Sequence, residues 1–241
     1  VPRNYCWFIT GQGEHRRMLE ASIESVRRHD PRAALHVIDA DSALAPAGPM
    51  MLANIDAIWT VLANLPRGDE LIALDCDTIV QAPLPLLHLG EAQADLAVTF
   101  RDHVARGPDG EKQVGIAGEQ PYNFGVLGFR ASPGGLEACL WLRERVRRMG
   151  PQLRAWYGNQ VALAELLGPC PKDDQPDLLL ADIPWADDLT GTGITVARWP
   201  CQEWNFTPEP GESYAHARVL HFKGHSRDLF GPTAKELGLP W

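Results

Sequence analysis

The stretch Leu71-Ile72-Ala73-Leu74-Asp75-Cys76-Asp77-Thr78-Ile79-Val80 (LIALDCDTIV) sets four apolar residues directly before two carboxylates spaced i, i+2. Four consecutive apolar residues leave no polar face for water, so Leu71–Leu74 predicts a strand covered on both sides. In open α/β sheets the carboxyl ends of such strands form the ligand crevice. On an extended chain, residues i and i+2 point the same way, which lets Asp75 and Asp77 converge on one cation. Neither has a Lys or Arg close by in sequence, and a divalent metal is a natural counter-charge. The same tripeptide also reads as two aspartates hydrogen-bonded separately in a turn.

The flanking segments agree with that sheet. Upstream, Asn4–Thr10 (NYCWFIT) reads as a strand that ends at Gly11-Gln12-Gly13. Met18, Leu19, Ile23 and Val26 then fall at helical spacing over Glu14–Arg28, and Asp30-Pro31 stops the helix. Leu35–Ile38 is a second strand; a helix near Met51–Leu65 is broken by Pro66-Arg67-Gly68-Asp69. Strand, helix, strand, helix, strand is the signature of a parallel sheet with crossover helices. Downstream, Asp95–Phe100 and Tyr122–Arg130 read as strands around a polar segment, Arg101–Gln120, long enough to be a functional loop or lid. Ser132-Pro133 opens a helix with an N-cap and a proline at its first position, carrying Leu136, Leu140 and Val146 on one face. A further helix is expected over Ala155–Leu167, then short strands at Leu178–Ile183, Ile194–Trp199 and Arg218–Phe222.

The whole chain of 241 residues reads as one α/β domain, 45% hydrophobic and 22% charged, too apolar for disorder. Lys plus Arg is 22 and Asp plus Glu 31, a net charge of −9, which speaks against a nucleic-acid coat or a polybasic membrane anchor. Arg143, Arg145, Arg147 and Arg148 are expected to form a solvated helix face. Five cysteines (6, 76, 139, 170 and 201) without a CxxC pair fit a reducing compartment. No apolar run approaches 18 residues, so no integral membrane segment is expected and the location is read as cytoplasmic.

A second group is His221-Phe222-Lys223-Gly224-His225-Ser226-Arg227, after an apolar strand. Imidazole ligates borderline metals, glycine allows close backbone approach to a phosphate, and the cation beyond it suits a diphosphate. His221 and His225 also have the i, i+4 spacing of a helical zinc pair, but the glutamate of HExxH is missing and Gly224 intervenes. At Gly11-x-Gly13, Arg16 stands where a dinucleotide fingerprint needs its third glycine.

Asp75-Cys76-Asp77, Asn123-Phe124-Gly125, Asn159-Gln160 and His221-x-x-Gly224-x-x-Arg227 occur in the order and approximate spacing of the retaining GT-A glycosyltransferases. From the first strand to about Phe230 the chain resembles their glycogenin and lipopolysaccharide-galactosyltransferase group, family 8-like. The resemblance implies a GT-A fold, a mixed and mainly parallel sheet flanked by helices. It further implies an N-terminal nucleotide-binding half (about 1–100) and a C-terminal half for donor sugar and acceptor (about 101–241). It also implies hexose transfer from a nucleotide-sugar, UDP-glucose or UDP-galactose, to an acceptor hydroxyl with retention.

Site roles follow from the resemblance. Asp75, Asp77 and His221 would ligate Mn²⁺ or Mg²⁺; Cys76 lies between the two carboxylates in the donor-binding set; Gly224 and Arg227 would contact the diphosphate. Asn123 and Gly125 would flank the donor sugar, Gln160 and Asp102 the reacting centre, and Thr10 the base or ribose. The sequence departs from the family in three places. Arg227 stands for its usual Lys, Asn159 for an Asp, and Asn54–Leu62 lacks the Arg that relatives carry before the DxD strand. Either Arg101 or Arg106 then serves instead, or donor choice differs.

Trp204-Asn205, Trp185, Tyr122, Trp156 and Tyr157 read either as core or as sugar-stacking positions. Two alternatives stand beside the transferase. Gly11-x-Gly13 loosely resembles the GxGxR loop of sugar-phosphate nucleotidyltransferases, without their following proline and lysines. Asn159 suits a non-catalytic GT-A-like binding protein.

Overall fold

A computed structural model describes residues 3–39, 49–101, 121–168, 175–185 and 188–241. The chain order is β1 (Arg3–Ile9), α1 (Glu14–His29), β2 (Ala34–Asp39), α2 (Met50–Leu62), β3 (Glu70–Leu74), β4 (Thr78–Val80), β5 (His88–Leu89), β6 (Ala92–Gln93), β7 (Leu96–Phe100) and β8 (Tyr122–Arg130). It continues with α3 (Pro133–Arg148), α4 (Pro151–Ala155), α5 (Gly158–Leu167), β9 (Asp177–Trp185), β10 (Asp188–Pro200), α6 (Cys201–Trp204), β11 (Val219–His221), a 3-10 turn (Gly224–Leu229) and α7 (Phe230–Glu236).

Seven strands form the central sheet in the order β2-β1-β3-β8-β7-β10-β9. β1, β2, β3, β7 and β10 share one direction, while β8 and β9 run against them. β3 is buried at every residue, as its composition predicts. Leu71 and Ala73 face a core shared with α2, α3 and α5. Ile72 and Leu74 face a second core that includes Leu19 and Val26 of α1. Alternation of side chains across one strand thus holds two helical layers on one sheet.

The strand ends at Leu74, but Asp75-Cys76-Asp77 is a turn and not extended chain. Its first amide makes a last rung to β8 (Asp75 N to Gly125 O, 3.0 Å), and Thr78 Oγ1 closes it on the Asp75 carbonyl at 2.8 Å. Beyond the turn, β4 leaves the main sheet and lies on α1, where Val80 N donates to Ser25 Oγ at 2.9 Å. There it pairs with β11, so the expected strand around His221 belongs to a separate two-stranded sheet. The helix expected over Ala155–Leu167 starts at Gly158 as α5, because Tyr157 before it takes a left-handed φ of 65°, and the short α4 precedes it. α2 stops at Leu62, one turn earlier than its sequence suggests.

Ser132 caps α3 as expected, its Oγ accepting from Gly135 N at 3.1 Å. The same hydroxyl donates to Asp95 Oδ1 at 2.6 Å, which also accepts from Arg130 Nη2 at 2.9 Å, while Asp95 Oδ2 accepts from Thr195 N at 3.1 Å. One carboxylate therefore ties β7, β8, α3 and β10 together. Burial raises the Asp95 pKa, but the bonds from Ser132, Arg130 and Thr195 outweigh it and hold the carboxyl below its ordinary range. The Asp95→Asn variant is expected to lose about 2 kcal/mol of stability at pH 7, or ~4–8 °C in Tm. A depressed carboxylate contributes above its unfolded pKa of about 4 and loses that contribution as pH falls through the folded value. Melting curves of variant and wild type should therefore converge below about pH 4.

Arg147 and Arg148 are exposed, as a solvated helix face requires, whereas Arg143 and Arg145 are half-buried and paired with Asp56 of α2 and Glu165 of α5. Cys6, Cys76, Cys139 and Cys201 are free thiols; Cys170 lies outside the described residues. Among the described residues no helix is long and apolar enough to cross a membrane.

Candidate active site

A cleft of about 850 Å³ opens at the carboxyl ends of β1 and β3. It is lined by Thr10, Asp75, Cys76, Asp77, Asn123, Gly125, Gln160, His221, Gly224 and Arg227, which gathers every described residue of the expected site. Asp102, Arg106 and most of the expected 101–120 lid lie outside the described residues, as do the side chains of Trp185 and His225.

The carboxylates come together because the turn after β3 faces β11. His221 Nε2 lies 3.5 Å from Asp75 Oδ2 and 3.3 Å from Asp77 Oδ1. One ligand atom from each of the three residues falls within 4.8 Å of the others. His221 is 3% exposed and Asp77 7%, while Asp75 opens onto the cleft. Two carboxylate oxygens and one imidazole nitrogen suit a hard-to-borderline divalent cation, and two of the three donors are withdrawn from competing water. The residues present therefore fit a divalent ion.

The electrostatics point the same way. Burial raises the Asp75 pKa, and the Asp77 charge adds to it against the pull of His221. Burial would also raise Asp77, but His221 and then Arg227, whose Nη2 lies 3.6 Å from Asp77 Oδ2, hold it low. On the opposite side, burial and the charge of Arg101 push the Lys223 pKa down to about 8. A carboxylate pair beside crowded cations is the arrangement expected where a cation and a polyphosphate bind together. Gly224, at φ +57°, starts the 3-10 turn in a conformation that favours glycine.

β8 shapes the floor. Val98 stands opposite Leu127 and Thr99 opposite Asn123, so Phe124, Gly125 and Val126 bulge without a partner on β7. The bulge sets Gly125 against His221: a Cβ there would lie 2.2 Å from His221 Cε1 and 2.5 Å from Nδ1. The missing side chain is thus filled by the imidazole. Asn123 Oδ1 accepts from Gly125 N at 2.8 Å and from Asn205 Nδ2 at 2.9 Å, and Asn205 Oδ1 accepts from His221 Nδ1 at 2.8 Å. Trp204-Asn205 reads in the sequence either as core or as a sugar-stacking position. Trp204 is core, 4.2 Å from Trp199 between ring centroids, and Asn205 is 1% exposed. Tyr122 is core as well, its hydroxyl accepting from Arg198.

Asn159 and Gln160 both line the cleft from α5, Asn159 being buried with its Oδ1 accepting from Gln160 N at 2.8 Å. Trp156, 52% exposed, and Tyr157 stand at the mouth in an edge-to-face pair at 5.3 Å. Arg101 and Asn54 also line the cleft, Asn54 on α2.

No family model matches the chain, and no curated protein matches it in sequence. Solved structures do. A glycosyltransferase involved in the glycosylation of the major capsid of PBCV-1 aligns with 98% of this chain and 100% of its own, at 14% identity and a TM-score of 0.57. The glycosyltransferase GlyE of Streptococcus pneumoniae TIGR4 aligns with 68% of this chain at 18% identity and a TM-score of 0.46, and the match spans 43% of GlyE. The galactosyltransferase LgtC, solved with donor and acceptor sugar analogs, aligns with 97% of this chain and 95% of its own at 14% identity and a TM-score of 0.49. The end-to-end match to the PBCV-1 protein shows the fold: the chain adopts the GT-A glycosyltransferase fold.

Proposed function

We propose that the protein is a metal-dependent glycosyltransferase that moves a hexose from a nucleoside-diphosphate sugar to an acceptor hydroxyl with retention. The observation that carries this reading is the Asp75–Asp77–His221 trio, at the carboxyl end of β3 in a GT-A cleft large enough for a nucleotide-sugar. UDP-glucose or UDP-galactose is the proposed donor, and Mn²⁺ or Mg²⁺ the proposed ion. Held by the trio, the ion would supply Lewis-acid neutralisation of the charge on the leaving diphosphate. The four free thiols support a reducing, cytoplasmic setting.

The chain's own residues do the rest. In the N-terminal half, to about residue 100, Thr10 meets the base or ribose and Cys76 belongs to the donor-binding set. Arg227 and Lys223 face the diphosphate, and Gly224 lets the backbone approach it. In the C-terminal half Gln160 places its amide beside the anomeric carbon, with Asn123, Gly125 and Asp102 assigned to the sugar's surroundings. The anomeric C–O bond breaks as the diphosphate leaves. The acceptor oxygen bonds to the same face, and its proton passes to the leaving phosphate oxygen. Trp156 at the mouth gives the acceptor an aromatic wall.

Incubation with UDP-glucose and UDP-galactose in Mn²⁺ is expected to release UDP, and EDTA to stop it. Release unaffected by EDTA would contradict the metal-dependent reading. Pyrophosphate from a nucleoside triphosphate plus a sugar phosphate would instead identify a nucleotidyltransferase. Asn159, in place of the family's Asp, favours a second reading as a binding protein, which predicts nucleotide-sugar binding without any turnover.

A further inference from the structure

We infer that Asn205 is a positioning residue that keeps a hydrogen on Nδ1 of His221, so that Nε2, facing Asp75 and Asp77, is the nitrogen left to ligate a cation. The inference rests on reading those three residues as a cation site. It begins at one atom of settled chemistry, the backbone N–H of Gly125, which can only donate. It donates to the Asn123 side chain at 2.8 Å, so the receiving atom is the amide oxygen, Oδ1. That oxygen can only accept from Asn205, 2.9 Å away, which makes the facing Asn205 atom the amide nitrogen. The second hydrogen of that nitrogen goes to Thr99 Oγ1 at 2.8 Å. The remaining terminal atom of Asn205 is therefore its oxygen, and it lies 2.8 Å from His221 Nδ1. An amide oxygen only accepts, so Nδ1 carries a hydrogen.

Each link is enforced by burial: Thr99 is 0% exposed, Asn205 1%, Asn123 3% and His221 3%. Turning the Asn205 amide over would face two oxygens at Asn123 and direct an N–H at the His221 ring nitrogen, with no water to relieve either. The backbone holds the donors in place. Phe206, the next residue after Asn205, bridges to β11 through Phe206 N to Val219 O at 2.9 Å and His221 N to Phe206 O at 2.7 Å. Asn205 and His221 are thus kept in register by the same segment. A histidine ligates through the nitrogen that carries no hydrogen, so the relay from Gly125 selects Nε2 as the ligand atom.

Two measurements test this on the intact protein. With ¹⁵N-labelled histidine, and His221→Gln used only for assignment, the wild type should show a slowly exchanging Nδ1–H resonance for His221, with or without Mg²⁺. A ring with its hydrogen on Nε2 alone would overturn the inference. In calorimetric titration with Mn²⁺ alone, Asn205→Leu should bind 10- to 100-fold more weakly than wild type. Its melting curve is measured alongside to verify folding. Wild-type affinity in a folded Asn205→Leu protein would also overturn the inference. A wild type that binds no Mn²⁺ yet shows the Nδ1–H resonance would instead remove the metal-dependent reading and leave the relay standing.

Discussion

Asp77→Asn is expected to abolish metal-dependent turnover, by about 10³-fold or more, while leaving the fold intact. The argument is one of charge. Asp77 is buried beside His221 and Arg227, which hold its carboxyl low. An amide of the same shape removes the charge that a divalent ion pairs with. Losing Lewis-acid assistance worth several kcal/mol corresponds to that factor in rate. In the metal-free protein the substitution removes the attraction to His221 and Arg227 together with the repulsion from Asp75, so some stability is lost at pH 7 and only the Mn²⁺-dependent change reads the site. Thermal melting separates the effects. Mn²⁺ at a hundred times its Kd should stabilise the wild type by about 2.7 kcal/mol and raise its Tm by ~5–10 °C. The variant should show no such rise. A variant that keeps both the Mn²⁺-dependent rise and turnover would remove Asp77 from the site.

Gly125→Ala is expected to be nearly as severe, although Gly125 offers no side chain to any ligand. The added methyl would lie 2.2 Å from His221 Cε1 and 3.0 Å from Asn123 Oδ1. His221 is 3% exposed and tied to Asn205, so the ring has no easy way to yield. Overpacking of this kind costs about 1–3 kcal/mol of stability. The displaced imidazole should cost at least about a hundredfold in Mn²⁺ affinity. Calorimetry with Mn²⁺ and a melting curve check both values. A folded variant with unchanged affinity would show that the imidazole does not need the bare Gly125 backbone.

Much of this site was legible in the sequence because its chemistry lies in short local motifs. Leu71–Leu74 announces a strand covered on both faces, and the carboxylates after it fall at the crevice. The premise used there was wrong in one respect: Asp75 and Asp77 converge through a turn closed by Thr78, not along an extended strand. The support behind the motifs was hidden, because Asn205 reaches Thr99 and Asn123 across 106 and 82 residues of chain. The only local sign was an asparagine set between Trp204 and Phe206, a polar residue in an aromatic segment. Gly125 was read as flanking the donor sugar, and its bare backbone also gives room to His221. The β4–β11 pair escaped notice because three-residue strands carry too little periodicity to distinguish one sheet from two.

The most direct test of the central claim is calorimetric titration of the protein with a panel of nucleotides and nucleotide-sugars, in Mn²⁺ and again in EDTA. The account predicts that one nucleoside-diphosphate hexose, a UDP-sugar, binds in Mn²⁺ and fails to bind in EDTA. Equal binding with and without the metal, or no binding of any nucleotide-sugar, would contradict it.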